Sequence, residues 1–401
     1  MSASRPPFPT RSGDRSSAAR PESSPRIELP AMVLIGAAGR NAGKTLLATR
    51  LIEALGHEQA LAGAKVTTVH GESVACPRGT DGCGVCSSLE GPYRLTLERG
   101  ELEGKDTTRM LEAGADPVLW LVTREPHLAV GARALADRLG PQGLAVCESN
   151  SLRQVVTPGL FVVVQRAGDS HVKRSCRRVW DLADAVVTFD GERHHPGPEA
   201  FSIVRGRWAL RREATAIVLA GGKSRRMGRD KALLQVNGVP MIQRVVDQLR
   251  PHFAEILVSA NDPARYAFLG LEVVPDTEPG LGPMVALASS LSRARYETCF
   301  AVPCDMPDLP VPLMTRLLRL ARRGADVVVP RTHDGHYEPL FAVYRRRLRP
   351  LMEAKLAAGV RQLFAFYGEC DTVEVPLSGD ESLRNVNTRE DYDRLVENAP
   401  V

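Results

Sequence analysis

A glycine- and arginine-rich segment near the middle of the chain constrains the fold more than any other feature. Residues 219–231 read LAGGKSRRMGRDK and directly follow residues 214–218, an apolar run short enough for a buried strand. A strand that opens into glycines can present bare backbone N–H groups to a phosphate, because no side chain intervenes. Arg225, Arg226 and Lys231 supply cations that could hold a triphosphate. The alternative is a plain glycine turn followed by a solvated basic loop.

The length and composition of the chain allow two domains and exclude several function classes. The 401 residues are 43% hydrophobic and 25% charged, as in ordinary globular proteins. A formal net charge of +5 is too small at this length to indicate a nucleic-acid partner. No apolar run reaches membrane-spanning length, so we predict no membrane partner. Residues 1–29 are rich in Ser, Pro and Arg and lack the apolar centre of a secretory signal, which predicts a disordered tail and a cytoplasmic protein.

Further strands are predicted after the central loop. Residues 255–260, 271–276, 299–305 and 327–330 are short apolar runs separated by helical patterns. Two of these runs end in the carboxylates Asp276 and Asp305, at the edge where open α/β sheets bind ligands. The second half is therefore predicted to form a mostly parallel, Rossmann-like sheet.

The first half contains its own strand, glycine loop and helix. Residues 32–35 are predicted to form a strand. Residues 36–45 follow with the sequence GAAGRNAGKT, and a helical pattern comes after them. This order is typical of a P-loop, in which Gly43 opens the backbone, Lys44 reaches the terminal phosphates and the Thr45 hydroxyl binds Mg²⁺. The first glycine of the usual motif is replaced by Ala38, and the alternative is a chance Gly-Lys-Thr at a helix start.

Strands and helices alternate through the rest of the first half, which predicts a P-loop NTPase-like parallel sheet. The predicted strands cover residues 65–70, 118–122, 144–151, 161–164 and 185–189. Glu148 stands at a strand end, where it could meet the Mg²⁺ of the loop or form a salt bridge.

Three cysteines crowd one glycine-rich stretch of the first half. Cys76, Cys83 and Cys86 can place three thiolates around zinc or an iron–sulfur cluster, which the spacing does not distinguish. His70, Cys147 or a residue of another subunit could supply the fourth ligand. The alternative is free thiols in a loop.

A Pro- and Gly-containing stretch separates the two halves. Residues 194–198 read HHPGP, and the two histidines are expected to be solvated. The predicted organisation is a tail over 1–29, a first domain over 30–192, a linker over 193–212 and a second domain over 213–398.

Four ordered signatures carry a family resemblance in the second half. They are residues 219–231, the segment PCDMP at 303–307, EPLFAVY at 338–344 and NVNT at 385–388. Together they resemble the molybdenum cofactor nucleotidyltransferases, in particular the guanylyltransferase (MobA) branch, over residues 214–398. The resemblance implies transfer of GMP from GTP to the phosphate of molybdopterin, with release of pyrophosphate.

The same resemblance implies a role for each matching residue. Asp305 would hold Mg²⁺, and Lys231 and Arg225 would neutralise phosphate charge. The residues implied to contact the nucleotide are Leu219, Ala220, Gly221, Gly222, Lys231, Asp276 and Asp305. Asn385 and Asn387 would lie on the pterin side.

The glycine pair and the acidic motif bear on the choice of base. A Cβ at Gly221 would crowd a purine lying on the loop, and the guanylyltransferases carry Gly-Gly here where the cytidylyltransferase branch usually carries Ala-Gly. Met306 after Asp305 agrees with the guanylyl branch. The alternatives are the cytidylyl branch or a sugar-phosphate nucleotidyltransferase of the same fold.

The first half resembles the MobB-like P-loop proteins of molybdopterin guanine dinucleotide synthesis. The Gly-Lys-Thr loop, residues 104–106 (GKD) and residues 148–151 (ESNS) carry this resemblance over residues 30–190. It implies a module that binds GTP at Gly43, Lys44 and Thr45, possesses GTPase activity or assists cofactor delivery, and meets a molybdoenzyme or its chaperone. The alternative is a non-catalytic adaptor. No motif in the sequence reads guanine directly.

Overall fold

The computed structural model describes residues 26–69, 89–100, 105–221, 230–378, 381 and 383–398. The chain divides into two compact units, residues 1–208 and 209–401. In the described ranges, no helix combines the length and the apolar character needed to cross a bilayer.

The first unit is built on one long sheet covered by helices. Its strands are β1 (Ile27–Ala37), β2 (Ala62–Val69), β3 (Tyr93–Leu97), β4 (Val118–Arg124), β5 (Ala145–Glu148), β6 (Val156–Arg166), β7 (Ala185–Phe189), β8 (His194–His195) and β9 (Phe201–Val204). Strand β10 (Arg207–Leu210) begins in the first unit and ends two residues past its boundary. Its helices are α1 (Lys44–Leu55), α2 (Asp106–Glu112), α3 (Leu128–Leu139) and α4 (Arg174–Arg177). The sheet order is β3-β4-β2-β5-β1-β6-β7-β8, and β9 pairs with β10.

The central strands of this sheet are parallel and buried on both faces. The pairs formed by β1, β2 and β4 to β7 are parallel, and only β3 and β8 at the edges run antiparallel. Residues 31–37 of β1 are all buried, as expected for a strand covered on both faces. Helix α1 buries Leu47, Ala48, Leu51 and Ile52, which share one face at helical spacing.

The second unit is a second α/β sheet. Its strands are β11 (Arg212–Leu219), β12 (Gln235–Val236), β13 (Val239–Pro240), β14 (Phe253–Ser259), β15 (Glu272–Val274), β16 (Thr298–Pro303), β17 (Val327–Arg331), β18 (Ala342–Arg345) and β19 (Thr372–Pro376). Its helices are α5 (Met241–Leu249), α6 (Pro283–Arg293), α7 (Val311–Ala321), α8 (Arg349–Ala357) and α9 (Arg389–Asn398). The order is β15-β14-β11-β16-β18-β17-β19, with β12 and β13 as a separate hairpin.

This arrangement confirms the predicted Rossmann-like sheet of the second half. Strand β11 is parallel to β14 and β16, while β18 runs antiparallel to both of its neighbours. Ala216 and Val218 of β11 pack into one apolar core, and Ile217 and Leu219 pack into another on the opposite face. The alternation follows from the two-residue period of a strand, which sends neighbouring side chains to opposite faces.

The stretch predicted as a linker differs from that prediction. Residues 194–195 form strand β8, which pairs with β7, and the hairpin of β9 and β10 follows. The expected solvation was wrong for His194, which is 6% exposed and stacks on Phe189 with ring centroids 4.8 Å apart. Proline and glycine content indicated a loop, but an aromatic partner 5 positions earlier holds the ring inside. The predicted tail also ends earlier, because β1 begins at Ile27.

A buried histidine makes the stability of the second unit depend on pH. Burial, reinforced by the positive charge of Arg212, lowers the pKa of His252 to about 3. The unfolded chain, with an ordinary histidine pKa of about 6.5, binds this proton more readily than the folded chain, so stability is present above about pH 6.5 and lost below it. We expect His252 to account for about 2 kcal/mol of lost unfolding free energy between pH 7 and pH 5.

Urea denaturation of the wild type and of His252→Gln at both pH values checks this expectation. The variant should lose less stability on acidification than the wild type. Equal losses in the two proteins would mean that His252 is not the group responsible.

Candidate functional site

Strand ends of the second unit meet at one sheet edge. The register pairs Leu219 of β11 with Ser259 of β14 and with Pro303 of β16, so three carboxyl ends lie side by side. Ala220 donates its N–H to the Ser259 carbonyl at 2.9 Å, and Cys304 donates to the Leu219 carbonyl at 3.1 Å. The predicted nucleotide loop therefore leaves the sheet directly beside the residue that precedes Asp305.

The start of this loop is open. Ala220 is half-buried and Gly221 is exposed, and a Cβ built on Gly221 meets no described atom within 4 Å. The described protein atoms around residue 221 would therefore leave room for a larger side chain. Gly222 and Arg225 lie outside the described residues.

Lys231 connects two of the predicted site segments. Its ammonium Nζ donates to Asn387 Oδ1 at 2.9 Å and lies 3.6 Å from Asp305 Oδ2. The Lys231 side chain is 17% exposed and that of Asp305 is 18% exposed, so this contact is largely shielded from solvent. Asp230 fixes the turn that begins at Lys231, because its carboxylate accepts the N–H of Ala232 at 3.1 Å.

Two side-chain oxygens of the predicted site segments are buried without a donor in the described part of the chain. Among the described residues, neither Asp305 Oδ1 nor Asn385 Oδ1 has a hydrogen-bond partner. The N–H of Val386 donates to the Asp305 carbonyl at 2.8 Å, which fixes the segment carrying Asn385 beside Asp305. Burial raises the pKa of Asp305, and the charge of Lys231 only partly opposes this effect.

Asp276 occupies the other side of the same edge. Its N–H donates to Asn261 Oδ1 at 2.8 Å, and Asn261 Nδ2 donates to Asp276 Oδ2 at 2.9 Å. Asn261 follows β14 and Asp276 follows β15, whereas Asp305 follows β16 on the opposite side of β11. Predicted contact residues therefore flank the loop on both sides, and no contact joins Asp276 to Asp305 in the described part of the chain.

Sequence reasoning assigned no role to Glu338. It lies in the segment that leads into β18, and because β18 is antiparallel to β16, this segment lies at the carboxyl edge of β16. The side chain is half-buried, and burial raises the pKa of its carboxyl. The EPLFAVY signature contains this residue, but only the antiparallel register places it near the site edge.

In the first unit, the Gly-Lys-Thr loop joins β1 to α1. Gly43 precedes the helix with φ of 83°, and its carbonyl accepts the N–H of Leu47 at 3.0 Å. Lys44 Nζ lies 3.1 Å from Glu148 Oε2, and the Glu148 side chain is fully buried. Glu148 therefore forms a salt bridge, which was one of its two predicted roles. Its position follows from the register, because Glu148 of β5 pairs with Ile35 of β1, the strand that leads into the loop before Lys44.

Thr45 contacts a second carboxylate. The Thr45 hydroxyl and the Lys65 ammonium both hydrogen-bond the Asp106 carboxylate. Burial alone raises the pKa of Asp106, but Lys65, Lys44 and the Thr45 hydroxyl lower it more, so it lies below the ordinary value. Asp106 belongs to the GKD stretch at residues 104–106, and no local pattern indicates that its side chain reaches Thr45.

Positive charge converges on the same loop. Lys173 donates its backbone N–H to the Ala38 carbonyl at 2.8 Å, which places residue 173 beside the loop. Burial lowers the pKa of the Lys173 ammonium, and the charges of Lys44 and Arg40 lower it further. Cations brought together in this way favour binding of an anion.

Two side chains fix the backbone on either side of the loop. Asn150 accepts the N–H of Ala37 at 2.7 Å and donates to its carbonyl at 3.0 Å, which extends the pairing of β1 by a side chain. On the other side, His194 Nε2 lies 3.0 Å from the Gly43 carbonyl. A Cβ on Gly43 would lie 2.7 Å from the ring of Phe189 and 3.0 Å from His194 Nε2.

The predicted metal ligands Cys76, Cys83 and Cys86 lie outside the described residues, as does His70. Within the ranges that the structure covers, no group of three or more His, Cys, Asp or Glu side chains could hold a metal ion. Cys147, the other candidate ligand, is fully buried in the first core, and burial raises the pKa of its thiol.

Gly43→Ala tests how tightly the P-loop-like segment is held. The positive φ and the contact with Phe189 should together lower the unfolding free energy by about 3 kcal/mol. Gly91→Ala is the matched control, because Gly91 has φ of 82° and no described atom within 4 Å of an added Cβ. It should cost only about 1 kcal/mol. Equal losses in denaturant titrations would show that the Phe189 and His194 contacts contribute nothing.

Comparison with known proteins identifies the second unit. The family model described as the MobA-like NTP transferase domain matches residues 216–373. "Probable molybdenum cofactor guanylyltransferase" of Pelotomaculum thermopropionicum is 39% identical over 189 residues, covering 45% of this chain and 90% of the relative. The molybdenum cofactor guanylyltransferase of Shewanella putrefaciens is 36% identical over 187 residues, covering 45% and 95%.

A solved structure is also similar. The crystal structure of molybdopterin-guanine dinucleotide biosynthesis protein A from Archaeoglobus fulgidus aligns with a TM-score of 0.40 and 23% identity, covering 46% of this chain and 97% of that one. The family assignment depends on the sequence relatives, which align over nearly their whole length. Through its second unit, the chain belongs to the molybdenum cofactor guanylyltransferase family of nucleotidyltransferases.

Proposed function

We propose that the second unit transfers GMP from GTP to molybdopterin, giving molybdopterin guanine dinucleotide and pyrophosphate. The observation that carries the proposal is the Lys231 ammonium, which lies between Asp305 and Asn387 at the carboxyl edge of the sheet. The names of relatives that align over nearly their whole length support it. A phosphate oxygen of the pterin attacks the α-phosphorus of GTP. The bond from the α-phosphorus to the oxygen bridging the α- and β-phosphates breaks, and pyrophosphate leaves with the electron pair of that bond.

Such a displacement needs positioning and charge neutralisation more than covalent help. Leu219, Ala220, Gly221 and Gly222 would lie against the nucleotide. The N–H of Ala220 already pairs with the Ser259 carbonyl, so phosphate oxygens would be met by the exposed backbone from Gly221 onward. Asp276 would contact the base and ribose side of the nucleotide. Lys231, with Arg225, would neutralise charge on the phosphates. The residues proposed for the pterin side are Asn385 and Asn387.

Asp305 would hold Mg²⁺ in this proposal. The fit is supported by Asp305 Oδ1, which is buried without a donor among the described residues, because a buried carboxylate oxygen of this kind favours a cation. Bound Mg²⁺ would neutralise negative charge on the phosphate oxygens of the substrates. Lys231 remains close to the second carboxylate oxygen and restricts the carboxylate's orientation.

The open space at Gly221 supports guanine as the base. Because no described protein atom would contact a Cβ at this position, a need for glycine would come from the ligand and not from the fold. A purine is larger than a pyrimidine and would need this space. GTP should therefore be a better substrate than CTP.

Asp305→Asn tests the transferase proposal. Removing the negative charge should lower kcat for transfer from GTP by about 100-fold or more, measured as pyrophosphate released with Mg²⁺ and molybdopterin present. Asp308→Asn is the control, since the side chain of Asp308 is 69% exposed and follows Asp305 by three positions. Full activity of Asp305→Asn, or no transfer by the wild type, would contradict the proposal.

We propose that the first unit is a MobB-like P-loop module that binds GTP and assists cofactor synthesis or delivery. Lys44 and Thr45 at the start of α1, with Gly43 before them, support phosphate and Mg²⁺ binding. The convergence of Lys173 on Lys44 and Arg40 supports an anionic ligand. In this proposal residues 30–192 are the module and residues 213–398 the transferase, the protein is cytoplasmic, and the product passes to a molybdoenzyme or its chaperone.

Lys44→Ala tests the module in the full chain. The wild type should bind two nucleotides per chain and the variant one, because a charge-assisted contact of about 1.5–3 kcal/mol is lost. Transfer of GMP by the second unit should continue. Arg109→Ala, which removes an exposed cation of α2, is the control and should bind two. Two nucleotides bound to Lys44→Ala in equilibrium dialysis would contradict the assignment.

The cysteine stretch remains a proposed zinc or iron–sulfur site. Three thiolates from Cys76, Cys83 and Cys86 match the donor preference of both metals. Metal analysis of freshly purified wild type and Cys83→Ser decides the matter. Equal metal contents in the two proteins would remove Cys83 from the ligand set.

A further inference from the structure

Among the described residues of the second unit, the two buried side-chain oxygens without a hydrogen-bond partner come from different segments of the chain. Asp305 follows β16, whereas Asn385 lies 80 positions later, ahead of α9. The hydrogen bond from Val386 N–H to the Asp305 carbonyl, at 2.8 Å, holds these segments together. Leaving one buried acceptor without a donor costs about 1–3 kcal/mol, so two such oxygens on adjoining segments indicate that a cation or a hydrogen-bond donor binds there.

The geometry points to Asn385 Oδ1 and Asp305 Oδ1 as the two protein ligands of the divalent cation that accompanies the nucleotide. The inference rests on the proposed transferase function and changes the role of Asn385 from the pterin side to the metal. Magnesium prefers oxygen ligands and is commonly held by one or two protein groups together with waters and substrate phosphates. A cation would satisfy both oxygens at once, whereas a single N–H donor would satisfy only one.

The neighbouring asparagine provides the contrast. Asn387 Oδ1 already accepts a hydrogen bond from Lys231 Nζ at 2.9 Å, so its oxygen has a partner and it positions the lysine. Asn385 Oδ1 is the buried acceptor without one among the described side chains of this segment. Two asparagines separated by one residue therefore act differently: Asn385 on the cation and Asn387 on Lys231.

The charge of the site fits this division. Lys231 contributes one positive charge and Asp305 one negative charge at 3.6 Å. A second carboxylate in place of Asn385 would repel incoming phosphates, whereas an amide oxygen binds the cation without adding negative charge. A neutral second ligand thus lets metal and triphosphate occupy the same site.

The test measures GTP affinity with excess Mg²⁺ and with EDTA, without molybdopterin so that no transfer occurs. All proteins are full chains carrying Lys44→Ala, which removes the nucleotide site proposed for the first unit. We expect the parent to bind GTP about tenfold more tightly with Mg²⁺ than with EDTA. Asn385→Leu should reduce this ratio towards one while keeping its affinity in EDTA.

Asn387→Leu is the matched control. It should weaken GTP binding in both conditions, because Lys231 loses its partner, and should leave the Mg²⁺/EDTA ratio unchanged. Asn385→Asp keeps an oxygen ligand at this position and provides a second variant in case the leucine variant misfolds. It should retain the Mg²⁺/EDTA ratio and should reach it at a lower Mg²⁺ concentration than the parent. Thermal unfolding of each variant verifies the fold.

The outcomes separate the two proposals. A parent that binds GTP with no Mg²⁺ dependence, an Asn385→Leu variant with the full ratio, or an Asn385→Asp variant that loses it would overturn the metal assignment. A raised KM for molybdopterin in Asn385→Leu with an unchanged Mg²⁺ ratio would return Asn385 to the pterin side. A parent that binds no GTP would instead refute the transferase function itself.

Discussion

Parallel pairing of β11 with β14 and β16 is the constraint on which the second unit depends. It brings three carboxyl strand ends to one edge and fixes the Leu219 carbonyl against the N–H of Cys304. The segments that follow these three strands therefore all begin at the same edge of the sheet. The loop after Leu219 and the carboxylate at 305 are consequently neighbours, although 86 positions separate them in the chain. The apolar cores on both faces of the sheet hold this edge rigid.

In the first unit, parallel strands also bring distant residues to one sheet edge, but the charges at that edge are arranged differently. Its central strand β1 ends between β5 and β6, and the helix that follows begins with a lysine whose ammonium lies 3.1 Å from a fully buried glutamate. That ion pair offsets part of the positive charge brought together by Lys173 and Arg40. The second unit instead places one lysine between a carboxylate and an amide. In both units a cation at a strand edge is held by an acceptor from an adjacent segment.

Much of the second unit could be predicted from its residues, since long apolar strands alternating with helices leave few arrangements. The position of Lys231 between Asp305 and Asn387 could not, because it depends on a turn capped by Asp230 and on the Val386 hydrogen bond. Residues 193–212 illustrate the opposite error. Their prolines and glycines indicated a linker, yet His194 packs on Phe189, and composition carries no information about such a partner.

The class of fold, the two glycine loops and the family of the second unit could all be inferred from the residues alone, because periodicity and local motifs depend on residues that are neighbours in the chain. The contacts between distant residues depend on the tertiary structure: Glu148 meets Lys44, Asp106 meets Thr45, and the backbone hydrogen bond of Val386 brings the Asn385 segment beside Asp305. These contacts depend on strand order and register, which depend in turn on the packing of the whole sheet. No local pattern encodes them.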